Sequence, residues 1–401
     1  MASCQATPIV SSTTLKQVGL AVGGRGWALA GAGAVGATLA ATFDAPGAQS
    51  AASQDWPPFV LVSGLLLVGL VADEGGLFAA AGHALARLCP GGVAMFAGAV
   101  VLVASVTSLL NLDTSVAFLT PVLVYAARSR GGGEAPLLYG CLLLSNAASL
   151  LLPGSNLTNL IVLGHLRLSG SRFLSHVAPA WLVSVCITAG VVAVVERRSL
   201  RSVRSPVLAR ANGPVGGHPT QWIGVASVTA VTLCILILRE PALPVAAVGV
   251  ATIGARATSG RASSAVVLKI LGLPVLVGLF GIAVALGTLG RAWSGPAVAL
   301  AHLDAWGTAA VAAVASVLVN NLPAASLLAA RVPPRPFALL VGLDLGPNLF
   351  VTGSLAWILW QRAAVNAGAT PSIGRASRLG LVAVPLAMAG AVGVLAITGT
   401  R

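Results

Sequence analysis

The chain has 401 residues, 57% of them hydrophobic and 8% charged, with a mean hydropathy of +0.93, which excludes an ordinary water-soluble globular protein. Its 23 Lys and Arg against 10 Asp and Glu give a formal net charge of +13. On a soluble chain this would suggest nucleic acid. Here the Arg are confined to loops between apolar runs, where they hold cytoplasmic loops against anionic lipid, so no nucleic-acid partner is expected.

In chain order, apolar runs long enough to cross about 30 Å of hydrocarbon begin at Trp27 to Phe43 and Pro57 to Ala72. The first is read as a retained span rather than a signal peptide, because its small-residue stretch is continuous and no cleavage site stands out. Further spans are Ala135 to Leu166, Val177 to Val195, Trp222 to Leu238, Ala242 to Ala257, Val266 to Leu289, Phe337 to Trp360 and Leu379 to Thr398, nine crossings in all. Two other runs, Gly91 to Ala127 and Trp306 to Ala330, are interrupted by the polar stretches NLDTS and NNLP. Each reads as a re-entrant helical hairpin whose tip stops within the membrane.

With a cytoplasmic N-terminus and both hairpins returning to the side they left, sixteen basic residues fall inside and seven outside, as the positive-inside rule requires. If either hairpin were a single crossing, the Arg-rich loop Glu196 to Arg210 would face outward. That loop divides the chain: an N-terminal segment (1–56), a first repeat (57–196), a basic cytoplasmic linker (197–221), linking spans (222–265) and a second repeat (266–401).

The halves share a pattern. Ser108 to Pro121 lies over Ser316 to Ala329, setting Asp113 on Asn321, and Ser145 to Val162 overlays Asp344 to Trp360, setting Gly154-Ser155 on Gly353-Ser354. Each half runs span, polar-tipped hairpin, Gly/Ser/Pro-interrupted span, final span, and the copies enter the membrane in opposite directions. The expected fold is an all-α polytopic membrane protein of two inverted repeats, each with a re-entrant hairpin and a discontinuous helix, the architecture of alternating-access carriers. Gly and Pro at the interruptions release backbone groups that a neighbour, an ion or a substrate must satisfy, and the exposed helix N-termini suit an anion or a polar oxyacid.

Most acidic residues, Asp55 among them, read as loop or span-end groups, leaving Asp113 and Asp344 as the deep carboxylates. A buried carboxylate must be paired, protonated or cation-bound, so these two are the candidates for carrying a coupling ion or proton, against the plainer role of capping a helix. Asn111, Ser155, Asn156, Thr158, Asn159, Asn320, Asn321, Asn348, Gly353 and Ser354 are the candidate substrate-binding residues. Each alone is as well explained by capping or by joining two spans; their matching places in two repeats favour a site. None of the five Cys (Cys4, Cys89, Cys141, Cys186, Cys234) has C-x-x-C spacing, so no disulfide, metal site or cofactor is expected. Cys141 lies one turn before Ser145, but thiolate ligation is not expected in a permease that must release its cargo.

VGLDLGPNLFVTGSLAWILW, preceded by SVLVNNLP, resembles the second-half signature of the arsenite-efflux permeases, the arsenical pump membrane proteins of the ion-transporter superfamily. LDTSVAFLTP followed by SNAASLLLPGSNLTNLIV is similar to the first-half hairpin and N-L-T-N break of that family. The resemblance implies export of arsenite or antimonite across the inner membrane, driven by protons or assisted by a cytosolic ATPase. This chain has no G-x-x-x-x-G-K-[ST] loop of its own. By position it carries the family motif onto Asn320, Asn321, Asp344, Gly346, Pro347, Gly353 and Ser354, and onto Asn156, Thr158 and Asn159. The sequence departs where the family has Lys after D-L-G-P, here Asn348, and T-P-I-G-S, here VTGS. A Na⁺/H⁺ antiporter or an organic-anion (dicarboxylate) carrier shares the fold and is the lesser reading, because only S-N-L-T in the first half approaches the paired Ser-Asn-Thr signature of the dicarboxylate symporters.

Overall fold

The computed structural model describes residues 12–89, 91–164, 166, 168–201, 219–238, 240–257, 267–268 and 271–399. Most of the basic linker (202–218), the start of the span at Val266, Cys4, and Arg167, Arg204, Arg210, Arg239, Arg261, Lys269 and Arg401 lie outside the described residues. The described chain is helical throughout. Among the described residues six helices are long and apolar enough to cross a membrane, which makes this a multi-pass membrane protein.

A first series of elements comprises α2 (Ala45–Glu74), the short α3 (Leu77–Leu88), the hairpin α4 (Gly92–Leu109) and α5 (Leu112–Ser129), the broken helix α6 (Ala135–Ala148) and α7 (Leu157–Leu163), and the unbroken α8 (Gly170–Val195). A second series repeats it: α12 (Leu273–Ala292), the short α13 (Gly295–His302), the hairpin α14 (Ala305–Val319) and α15 (Asn321–Leu328), the broken helix α16 (Pro336–Leu345) and α17 (Ala356–Asn366), and α18 (Ile373–Ile397). Before and between them lie α1 (Ser12–Phe43), α9 (Arg197–Arg201), α10 (Pro219–Ile237) and α11 (Ala242–Ala257). The packing is reciprocal: α2 lies on α12 and α8 on α18, while α5 packs on α17 as α15 packs on α7. α1 packs on α12, and α10 and α11 on α2, forming a scaffold beside the core of hairpins and broken helices.

The two ends of each hairpin lie together. The Arg130 guanidinium, just past α5, donates to the carbonyl of Ala86, just before α4. Past α15, Arg331 donates to Arg291 O, at the end of α12, at 2.6 Å and Arg335 to Leu303 O, just before α14. The two bases lie at opposite ends of α8, which its 26 residues make about 39 Å long. At one end His176 stacks on Phe337, beside Arg335, with ring centroids 5.4 Å apart. At the other, α9 packs on α4 and Glu196 accepts from both Arg375 Nε (2.9 Å) and Nη2 (2.6 Å).

That forked pair joins α18 to the end of α8 on the basic face. Arg128 spans the halves there too, donating to Glu134 and to the carbonyls of Ala367 and Gly368. Glu196 is 1% exposed, so Arg375→Ala leaves a buried carboxylate without its cation. The expected loss is about 1–3 kcal/mol, read as a lower melting temperature in detergent, with Arg375→Lys recovering part of it.

Three sequence expectations are corrected. A boundary at residues 56/57 would cut α2, which starts at Ala45, capped by Asp44 through Gly47 N. The polar-looking stretch stays helical because Ala48 and Ala51 are buried with Val284 of α12. The linker begins as helix, α9, and α10 starts at Pro219 rather than Trp222. The hairpin register moves by one residue: Asn111 and Asn320 are the equivalent N-caps of α5 and α15, so Asp113 stands over Leu322 rather than Asn321. The short helices α3 and α13 were not anticipated; α3 buries only Phe78, Gly82 and Leu85 along one stripe.

Candidate functional site

After α6 ends at Ala148 and α16 at Leu345, Pro153-Gly154 and Gly346-Pro347 form single 3₁₀ turns, Pro153–Ser155 and Gly346–Asn348. Proline supplies no donor to the helix it enters, and the freed groups find partners on the hairpin tips. In the first repeat Ser155 Oγ donates to Ser108 O at 3.0 Å and Ser108 Oγ to Ala148 O at 3.3 Å. In the second, Thr352 Oγ1 donates to Val317 O at 2.7 Å, Asn320 Nδ2 to Thr352 O at 3.2 Å and Asn321 N to Gly353 O at 2.9 Å. Ser108 and Val317 are equivalent in the corrected register, so each tip offers the same carbonyl to its own break. Asn320 holds φ 75° and ψ 150°, a region nearly confined to glycine and costing about 1–3 kcal/mol.

Contacts between the breaks form the centre. Asp344, fully buried on the last turn of α16, reaches into the first repeat, where its Oδ1 accepts from Thr158 Oγ1 at 2.8 Å and Asn156 Nδ2 at 2.9 Å. Asn156 also caps α7 and donates to Ser149 Oγ at 3.2 Å. Asn159 Nδ2 donates to Ser149 O (2.7 Å) and Leu152 O (3.1 Å). Asn348 accepts from Asn146 Nδ2 and donates to Leu143 O, both at 2.9 Å. Asp344 Oδ2, Asn146 Oδ1, Asn159 Oδ1, Asn111 Nδ2 and Ser354 Oγ are buried without a hydrogen-bond partner. Buried polar atoms are rarely left so, and these gather at the tips and breaks.

The predicted residues thus divide. Asn156, Thr158, Asn159, Asn348 and Asp344 share one network; Asn320, Asn321 and Gly353 join the second tip to the second break; Ser155 ties the first break to its tip. Asn111 caps α5 through Thr114 N at 2.6 Å, and Asp113 follows on the first turn, half-buried and outside the hydrogen bonds around Asp344. Asn146 and Ser149 were missed, although the polar SNAAS within an apolar run was the signal. A third carboxylate was also missed: Asp55, read as a span-end group, is 2% exposed inside α2. Cys141, beside Thr120 at 3.5 Å, is buried. Where the resemblance would place a lysine, Asn348 makes two neutral hydrogen bonds. Asn348→Leu should therefore lower stability by about 1–3 kcal/mol, through loss of the two hydrogen bonds to Asn146 and Leu143 O, measured by thermal unfolding in detergent.

Two hairpins whose tips meet paired helix breaks around a buried carboxylate define a multi-pass membrane transporter. The sequence profile of the citrate transporter family matches residues 21–343, and the chain belongs to that family. The match stops one residue before Asp344. The chain is also 24% identical to an arsenical pump membrane protein of Yersinia enterocolitica, over 82% of this chain and 83% of that one. It is 25% identical to one of Escherichia coli over the same shares. Among solved structures, the YdaH transporter of Alcanivorax borkumensis, described as having an unusual topology, aligns with a TM-score of 0.54 at 16% identity, over 89% of this chain and 88% of that one.

Proposed function

We propose that this protein exports arsenite and antimonite from the cytoplasm across the inner membrane, coupled to proton entry, through two inverted repeats with the N-terminus inside. The observation that carries the reading is Asp344, fully buried, with Oδ1 held by Asn156 and Thr158 of the other repeat and Oδ2 without a partner. A carboxylate so placed binds and releases a proton as its surroundings change. The basic face, with Arg128, Arg130, Arg197, Arg198, Arg201 and Arg375, is the cytoplasmic one. Asp113, one turn past the first hairpin tip, is the second carboxylate assigned to coupling. Asn111, Ser155, Asn156, Thr158, Asn159, Asn320, Asn321, Asn348, Gly353 and Ser354 line the substrate path.

Arsenious acid is a neutral triol at neutral pH, and its O–H groups match the acceptor oxygens of Asp344, Asn146 and Asn159 that have no partner. The names of the arsenical pump relatives support the same substrate. The family's name supports a second reading, uptake of a tricarboxylate. An acceptor-only anion needs cations or many donors, and the groups bonded to Asp344 are amide and hydroxyl beside a carboxylate, which favours the neutral oxyacid.

The test is uptake of arsenite by everted vesicles from an efflux-deficient host, with growth on arsenite in parallel. The expected result is uptake driven by respiration without ATP and abolished by a protonophore. Uptake that needs ATP and a soluble subunit would assign the chain to an ATP-driven pump. A requirement for Na⁺ or citrate, with no gain in resistance, would sink the arsenite reading.

A further inference from the structure

We infer that Gln54, Asp55 and Arg291 form a side-chain lock joining the scaffold to the core on the face opposite the basic one, and that it opens in each transport cycle. The inference rests on the reading of the chain as an alternating-access carrier.

Gln54, on α2, donates through Nε2 to Ile161 O (3.1 Å) and Ala329 O (3.2 Å). These lie at the C-terminal ends of α7 and α15, one from each repeat, where partial negative charge collects. Gln54 Oε1 accepts from Arg291 Nη2. Arg291, at the end of α12, also donates to Gly287 O at 2.9 Å, and its own carbonyl accepts from Arg331, beyond α15. Asp55, next to Gln54, is buried with Oδ2 unpartnered. A Cβ at Gly287 would stand 3.1 Å from Arg291 Nη1 and 3.7 Å from Asp55 Oδ2, so the glycine leaves room for cation and carboxylate side by side. One amide, held in place by one guanidinium, therefore joins two helix ends of the core to the scaffold.

The position of those ends gives the contact its leverage. α7 has seven residues and α15 eight, about 10 and 12 Å of helix. At their other ends stand Asn156 and Thr158, which hold Asp344, and Asn321, which meets Gly353. A shift of either short helix against the scaffold thus reaches the site directly, and neither shift leaves the Gln54 bonds intact.

Two measurements test the lock. In a variant with the native cysteines replaced by alanine, Gln54→Cys and Ala329→Cys are joined by a short bismaleimide in proteoliposomes. Crosslinked protein is expected to keep less than a tenth of the arsenite uptake of the same variant before crosslinking, while the reagent leaves each singly substituted protein at its own untreated level. Failure of the crosslink to form, or full uptake by crosslinked protein, overturns the inference. Separately, spin labels at Leu243→Cys on α11 and Leu386→Cys on α18, which packs on the second broken helix, report scaffold–core distance without any substrate. Gln54→Leu and Arg291→Gln are each expected to add a second distance population, and distributions identical to wild type overturn the lock. Because that readout needs no arsenite, it stands apart from failure of the substrate assignment.

Discussion

Asp344→Asn is expected to abolish arsenite uptake by everted vesicles, reducing it at least tenfold to background, while the protein inserts and unfolds at a temperature no lower than wild type. Asparagine has the same shape, and its Oδ1 still accepts from Thr158 and Asn156, so the link between the repeats survives. What it lacks is a group that takes up and gives back a proton. The stability expectation has its own physical basis: Asp344 is fully buried with one oxygen unpartnered, and a neutral side chain there removes a desolvated charge. Lost transport with retained stability isolates a coupling role. Wild-type transport in the variant would remove Asp344 from the coupling path.

Substitution at Gly380 is expected to act by the opposite route, through packing. Gly380 lies on α18 where that helix crosses the second break. A Cβ there would overlap the carbonyl oxygen of Asn348 and stand 3.3 Å from Leu349 Cα. Both obstacles are backbone, so no side-chain rotation relieves them, and even Gly380→Ala must push α18 away from the break. The expected cost is about 1–3 kcal/mol, seen as a fall of about 5 °C in apparent melting temperature together with loss of uptake. Gly374→Ala, on the same helix with nothing within 4 Å of its Cβ, is the control and should be neutral or slightly stabilising. Equal behaviour of the two variants would mean that the contact between α18 and the break does not hold the site.

The helix interruptions around Pro153 and Pro347 were readable in the sequence because proline and glycine in an apolar run leave backbone groups that need partners, wherever the run lies. The hairpins were readable for a related reason: NLDTS and NNLP are too polar to face lipid, and the charge balance of the loops depends on each hairpin returning. The structure supplies contacts for that return, Arg130 with Ala86 and Arg335 with Leu303. Asp55 was misread because its neighbours Ser53, Gln54, Trp56 and Pro57 resemble the end of a span. In the fold Gly287 of α12 lies against it, and Arg291, on the same helix, is more than 200 residues away in sequence.

By itself, then, the sequence determined the membrane class, the order of spans, hairpins and breaks, and the polar residues retained at the breaks, because hydropathy, charge sidedness and helix breaking are properties of short segments. The tertiary structure alone decided that Asp344 is held by Asn156 and Thr158, that Asn348 bonds Asn146, that Asp113 stays outside their network and that Gln54 ties two distant helix ends together. Those outcomes rest on which helices cross and at what register. That is set by packing across the whole chain, at positions such as Gly287 and Gly380 where only a missing side chain lets the elements meet.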